Sequence, residues 1–300
     1  MPAPREAAHG SRVEGSRDMS EVPGARRIRI GHSPDPDDAF MFHGIASGKI
    51  PTPGYEIVQI LRDIESLNRL ALENDIEVTA VSIHAYAYLA EHYALLPCGA
   101  SMGDGYGPIV VTRRPATAEE LCSMTIAVPG RLTSANLALR LALGEVRTRI
   151  MPFDQILGAV VSGEAEAGLL IHEGQLTYDA GGAHKVIDLG AWWKDETGLP
   201  LPLGGNAVRR NLGREVIEDL GRILRASIEH GLAHREEALS YALAFGRGIA
   251  RSQADRFVGM YVNEYTRDYG EKGRQAVDLF LRRGHEAGVL PARVSVEFSA

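Results

Sequence analysis

The sequence predicts a two-domain α/β protein with a ligand cleft between its domains. Three observations predict it. Strand-like and helix-like segments alternate in two separate units, interrupted by the Gly-rich stretch Gly99–Gly107 (GASMGDGYG). The last third of the chain is almost wholly helical in its apolar spacing, and polar clusters follow the strands of both units. At 300 residues the chain has room for two domains of ordinary size.

Arg27–His32 reads as the first strand, and Pro36 suits the first turn of a helix running to Ser47, with Asp35 as its N-cap. Tyr55–Leu61 is strand-like. Asp63 caps a helix over Asp63–Glu73, where Ile64, Leu67, Leu70 and Ala71 form one apolar stripe. Ile76–Val81 is a third strand, followed by a helix from about His84 to His92. This order predicts a parallel sheet with crossover helices. After the Gly-rich stretch come strand Pro108–Arg113 and a second unit: strand Met124–Val128, helix Thr133–Leu143, strand Val146–Ile150, helix Asp154–Ser162 and strand Ala167–Ile171. Lys185–Leu189 is another short strand. Helical spacing then covers Val216–Leu232, Ala238–Ala244, Phe257–Tyr265 and Val277–Ala287.

Composition narrows the function classes. The formal net charge is −7, with 39 acidic against 32 basic residues, so no cationic surface large enough to track a phosphate backbone is expected, and nucleic acid is not expected as a partner. No apolar run approaches the roughly 20 residues that span a bilayer, so no membrane partner is expected. The first 27 residues lack the apolar core of a secretion signal and read as a disordered extension, or as sequence upstream of a start at Met19 instead of Met1. Cys98 and Cys122 fit no metal-ligand spacing and read as reduced thiols of a cytoplasmic protein, with a single disulfide left open.

Ligands of open α/β sheets bind beyond the carboxyl ends of the strands. The candidates are therefore His32 and Ser33, Ser82 and His84, the Pro129–Ser134 turn, and His172 with Glu173. In Val128–Ser134 (VPGRLTS), Thr133 or Ser134 caps the next helix, and free N–H groups with hydroxyls at a helix start suit an anion. The same residues also suit a plain N-cap. His172 follows an apolar strand, where a neutral imidazole facing a cleft can take a proton; it also suits a structural histidine. Ser33–Phe40 (SPDPDDAF) reads as an acidic metal loop or, more simply, as helix-start residues, and contacts from Asp38 or Arg131 to a substrate stay open. The Trp192–Trp193 pair reads as core or cleft wall. His172-Glu173 lacks the second histidine of HExxH, the Gly103–Gly107 run leads into a strand instead of a helix, and neither a GxSxG elbow nor a Walker loop occurs. No metal and no cofactor is therefore expected.

Gly31–Phe40, the turn Val128–Ala135, Gly163–Glu173 (GEAEAGLLIHE) and Asp188–Leu203 (DLGAWWKDETGLPLPL) together resemble the 1,4-dihydroxy-6-naphthoate synthase family, from about Ile28 to near the C-terminus. The resemblance implies a periplasmic-binding-protein type II fold with a discontinuous first domain: residues 28–112 and 206–300 form the large domain and 113–205 the small one. The chain would cross near Val111–Arg114 and Leu203–Asn206. It implies a lyase of the futalosine route to menaquinone, which opens cyclic dehypoxanthinyl futalosine and releases 1,4-dihydroxy-6-naphthoate without a cofactor. It implies His172 as proton acceptor and Ala80, Val81, Ser82, Thr133, Ser134 and Ala135 as substrate contacts. Some relatives carry lysine at the position of Ala80, so a contact there would run through backbone. A small-molecule carboxylate is the expected partner, and the protein is expected as a monomer or homodimer. Chorismate dehydratase of the same pathway and a non-catalytic solute-binding protein of the same fold are the competing readings. The segment Asp188–Trp193 and the strand-end histidine weigh against the first; the N-terminal composition weighs against the second.

Overall fold

The computed structural model describes residues 24–246 and 248–299. Strand β1 (Arg26–His32) lies in the first sheet beside β2 (Tyr55–Leu61) and β3 (Val78–Ser82), all parallel. Between them run α1 (Pro36–Ala46) and α2 (Ile64–Leu72). The helix α3 (Ile83–Tyr86) is one turn long, and the chain then descends through tight turns to β4 (Tyr93–Leu95) and β5 (Ser101–Gly103). The longer helix expected over His84–His92 does not form, because Tyr86 and Tyr93 are both buried and the chain must reverse between them.

The second sheet holds β6 (Ile109–Thr112), then, after α4 (Ala118–Leu121), β7 (Thr125–Val128), α5 (Ser134–Leu143), β8 (Arg147–Ile150), α6 (Ile156–Ser162), β9 (Ala167–Leu170) and β10 (His184–Asp188). A single 3-10 turn, Glu173–Leu176, follows β9, and α7 (Leu189–Thr197) follows β10. The chain then returns to the first sheet as β11 (Leu201–Arg209). It ends in α8 (Arg214–Ala233), α9 (Arg235–Ala242), α10 (Arg251–Tyr261), α11 (Glu264–Arg267) and α12 (Gly270–Glu286).

The strand orders are β2-β1-β3-β11-β4, with β5 also on β11, and β10-β6-β9-β7-β8. The three strands expected to be parallel, β1, β2 and β3, are so, but later strands make both sheets mixed. β11 runs antiparallel to β3, β4 and β5, and β6 runs antiparallel to β9 and β10. Because Ile109–Thr112 pairs with β9 and Leu201 already pairs with β5, the passages between sheets precede the expected boundaries at 112/113 and 205/206. β1 begins inside the expected extension 1–27; residues 1–23, with Met19, lie outside the described residues. Both cysteines are free thiols, Cys98 buried and Cys122 exposed.

Helix α1 positions the site. Its sequence PDDAFMFHGIA is buried on all sides, Pro36 through Ile45 lying between the first sheet and the C-terminal helices. Burying Phe40, Met41 and Phe42 stabilises this packing by about 1.5–3 kcal/mol each. Its polar N-terminus is thereby held against the cleft. On the other side, α12 packs against the second unit, with Phe280 edge-on to the buried Trp193 at 5.4 Å between ring centres. The Trp pair thus splits: Trp193 is core and Trp192 is half-buried beside it.

Candidate active site

A cleft of about 740 Å³, the open solvent at its mouth included, lies where the strand ends of the two sheets face each other. Ala80, Val81 and Ser82 from β3 and Thr133, Ser134 and Ala135 from the start of α5 all line it. The loop before α1 adds Ser33, Asp35, Asp37 and Asp38, β11 adds Gly204, Gly205 and Asn206, and α10 adds Phe257 and Tyr261. Sequence reading missed the last two sources. The wall residues of β11 carry loop-like types, and α10 reaches the cleft only through the return of the chain to the first sheet. Among the described residues, no group of three or more potential ligands could hold a metal ion.

The two serines share one arrangement. Ser82 Oγ accepts a hydrogen bond from Asn68 Nδ2 at 3.1 Å, while the Ser82 N–H donates to Asn68 Oδ1 at 2.9 Å. Ser134 Oγ accepts the His84 N–H at 3.1 Å. Each hydroxyl oxygen is thus held by a buried donor, and each O–H remains to donate elsewhere. Thr133 differs. Its hydroxyl donates to the Gly130 carbonyl at 3.1 Å and accepts the Asn136 N–H at 3.2 Å, so it is spent on capping α5. The N–H groups of Ser134 and Ala135 belong to the first helical turn, which has no acceptor within the helix.

His172 is not among the residues lining this cavity; its neighbour Ile171 is. The imidazole is buried edge-on to Phe153, and its Nδ1 accepts the Gly174 N–H at 2.8 Å as the cap of the 3-10 turn. A neutral ring with Nδ1 as acceptor carries its proton on Nε2. Asp35 occupies the expected N-cap position, its carbonyl accepting the Ala39 N–H, but its side chain makes no cap bond; the carboxylate takes the Ser33 hydroxyl at 2.8 Å. Asp38 accepts the Ser33 N–H at 2.8 Å. Arg131 is exposed and off the wall. His32 has both ring nitrogens engaged, with Gln59 and with the Ser33 carbonyl, and stacks on Phe42. Burial and the neighbouring carboxylates of Asp38 and Asp35 push the Asp37 carboxyl well above the usual range. Burial raises Asp38 as well, opposed by His32 and the Ser33 N–H, so Asp37 is the partner that keeps its proton.

Hydrogen bonds from His84, Leu132 and Tyr261 cross between the lobes. Besides His84 to Ser134, the Leu132 N–H donates to Glu65 Oε2 at 3.3 Å and the Tyr261 hydroxyl donates to Gln175 Oε1 at 2.8 Å. His84 also places Nδ1 3.2 Å from the Thr133 carbonyl, and burial pushes its pKa down to about 4. Because the unfolded chain binds this proton more readily, stability is full above pH 6.5 and falls as the pH drops toward 4, by up to about 3 kcal/mol in all. Urea titrations at pH 7 and pH 4.5 should show this loss reduced in His84→Asn, whose amide keeps a donor but does not titrate. An equal loss in both proteins would assign it to other groups.

Residues 28–286 match the family model described as menaquinone biosynthesis. The chain is 43% identical over 263 residues to a 1,4-dihydroxy-6-naphthoate synthase of Thermus thermophilus, covering 87% of this chain and 95% of that one. It is 36% identical over 277 residues to the enzyme of the same name from Streptomyces coelicolor, covering 89% and 96%. Among solved structures, protein AF1704 of Archaeoglobus fulgidus shares 46% identity with a TM-score of 0.85, over 88% of this chain and 98% of that one. The alkanesulfonate-binding protein SsuA of Xanthomonas axonopodis pv. citri, solved with MOPS bound, shares only 11% identity but a TM-score of 0.68, over 90% and 96%. That likeness gives the fold, which is the periplasmic-binding-protein type. With the fold, the order of its motifs and this identity along nearly the whole chain, the protein is an enzyme belonging to the 1,4-dihydroxy-6-naphthoate synthase family of menaquinone biosynthesis.

Proposed function

We propose that the chain opens cyclic dehypoxanthinyl futalosine and releases 1,4-dihydroxy-6-naphthoate, without a cofactor, in the cytoplasm. The observation that carries this reading is the pair of serines. Ser82 and Ser134 sit on facing lobes, each with its oxygen held by a buried donor and its O–H left over, beside the free N–H groups of Ser134 and Ala135. Converging donors at a helix start suit a carboxylate, and this substrate carries one. Ala80 and Val81 supply the wall beneath it.

In this reading His172 removes the substrate proton. The Nδ1 lone pair is held by Gly174, and the resting ring carries its proton on Nε2. Proton abstraction therefore requires the imidazole to leave its cap as the lobes close over the substrate. Closure also excludes water from the ring-opened intermediate.

Incubating the purified protein separately with cyclic dehypoxanthinyl futalosine and with chorismate tests the assignment. Release of the naphthoate from the first is expected. Water loss from chorismate would identify the dehydratase instead, and binding without turnover of either would identify a solute-binding protein. Ser134→Ala removes one charge-assisted hydrogen bond and should raise KM about tenfold or more, with a smaller effect on kcat. An unchanged KM in steady-state kinetics would remove Ser134 from the carboxylate site.

A further inference from the structure

The cavity wall has a second stretch of opposite character. Where Ser82 and the start of α5 offer donors, the start of α1 offers the carboxyl groups of Asp35, Asp37 and Asp38, with Tyr261 of α10 close by. Two of these carboxylates are committed, Asp38 to the Ser33 N–H and Asp35 to the Ser33 hydroxyl. Asp37 is different. It is 9% exposed and lies on the wall; the backbone N–H groups of Asp37 and Asp38 bond its carboxyl, and among the described residues no side chain donates to it and no cation pairs with it. Asn206, buried on the same wall, gives its Nδ2 to the Gly99 carbonyl and has no partner for Oδ1. A buried polar group without a partner costs about 1–3 kcal/mol, so the orphaned Asn206 oxygen, on the same wall as a carboxyl held by backbone N–H groups alone, points to a ligand that supplies the missing bond.

We infer that Asp37, with Asp38 and Asn206 on the same wall, forms a subsite for an uncharged, hydroxyl-bearing part of the ligand, separate from the seat of its carboxylate. The inference rests on the function proposed above and deepens it. A ligand carboxylate is repelled from this stretch by Asp35 and Asp38, which fixes the ligand's direction in the cleft. A hydroxyl group both donates and accepts. A carboxyl that keeps its proton does the same, and the unpaired Asn206 oxygen accepts. An ammonium group would instead draw the proton off Asp37 and use it as an anion. In the proposed reaction, the sugar-derived fragment that departs is hydroxylated and uncharged, and the naphthoate that remains lacks it. The subsite therefore holds the leaving fragment.

The test compares substrate and product in two variants. Asp37→Ala should raise KM for cyclic dehypoxanthinyl futalosine about tenfold or more. Calorimetric affinity for 1,4-dihydroxy-6-naphthoate should stay within about twofold of the parent, which also shows that the fold is intact. Asp37→Asn, neutral and both donor and acceptor, should restore KM to within about threefold of the parent. Equal loss of substrate and product binding in Asp37→Ala, or no loss of either, overturns the subsite. So does an Asn variant as impaired as the Ala variant, because the group then works as an anion. Failure of the parent protein to turn over this substrate is read first and independently, and it concerns the proposed function alone.

Discussion

Replacing His172 by asparagine is expected to lower kcat by about 10²- to 10⁴-fold while leaving the unfolding midpoint near that of the parent protein. The expectation follows from the two jobs open to this side chain. As a cap, His172 needs only an acceptor where Nδ1 meets the Gly174 N–H at 2.8 Å, and the asparagine Oδ1 stands at nearly the same place. As a base it must take up a proton, which an amide does not do. His172→Ala removes both functions and should cost about 1 kcal/mol of stability in addition to turnover. Comparing the two variants by kinetics and urea titration separates the roles. Near-normal naphthoate release by the asparagine variant would reduce His172 to a cap and end its part in the chemistry.

His172 also marks how far sequence reading reaches. The strand before it and its place at a strand end were legible, because the short apolar run Ala167–Ile171, bounded by Glu166 and His172, leaves few alternatives. Its imidazole, however, turns back onto its own chain, and no periodicity encodes a side-chain rotamer. The caps were more readable. Asp63 accepts the Ser66 N–H at 3.0 Å and Thr133 that of Asn136, as their positions before apolar stripes implied. Least readable was β11. Pro202, Gly204, Gly205 and Asn206 are all poor strand formers, yet β11 runs through the middle of the first sheet, buried along most of its length. Glycine is needed there for closeness: a Cβ on Gly205 would come within 2.2 Å of the Tyr269 hydroxyl. The residue types that hid the strand are those that let it pack. Asp37 was hidden differently and Asp38 left open, since acidic residues at a helix start satisfy the helix dipole whether or not a cavity lies beside them.

The Gly-rich stretch that failed as a dinucleotide fingerprint supplies the other large expected effect: Gly190→Ala should lower the melting temperature and the soluble yield sharply. Gly190 is in the first turn of α7, where any residue could adopt the backbone angles, so its lack of a side chain must serve packing. A Cβ built there would lie 1.9 Å from the Tyr106 carbonyl oxygen and 2.0 Å from its carbon. The same oxygen would lie 1.9 Å from a Cβ on Gly103, so this carbonyl is gripped between two glycines. Backbone cannot swing aside as a side-chain tip can. Relief would have to shift α7, breaking the Asp188 bonds to the Gly190 and Ala191 N–H groups at 3.0 and 3.1 Å and displacing Trp193 from the core. It could otherwise shift Tyr106, whose ring packs edge-on to Tyr261 of the cavity wall at 5.9 Å and whose hydroxyl bonds the Met260 carbonyl. Either movement costs about 3 kcal/mol or more, against a total stability of about 5–15 kcal/mol. Gly158→Ala is the control. It lies inside α6 with open space around its Cβ, and it should gain about 0.5–1 kcal/mol. Thermal melts and soluble yields of the two variants decide the matter. A Gly190→Ala protein melting within a degree or two of the parent would show that the two lobes are not joined through this contact.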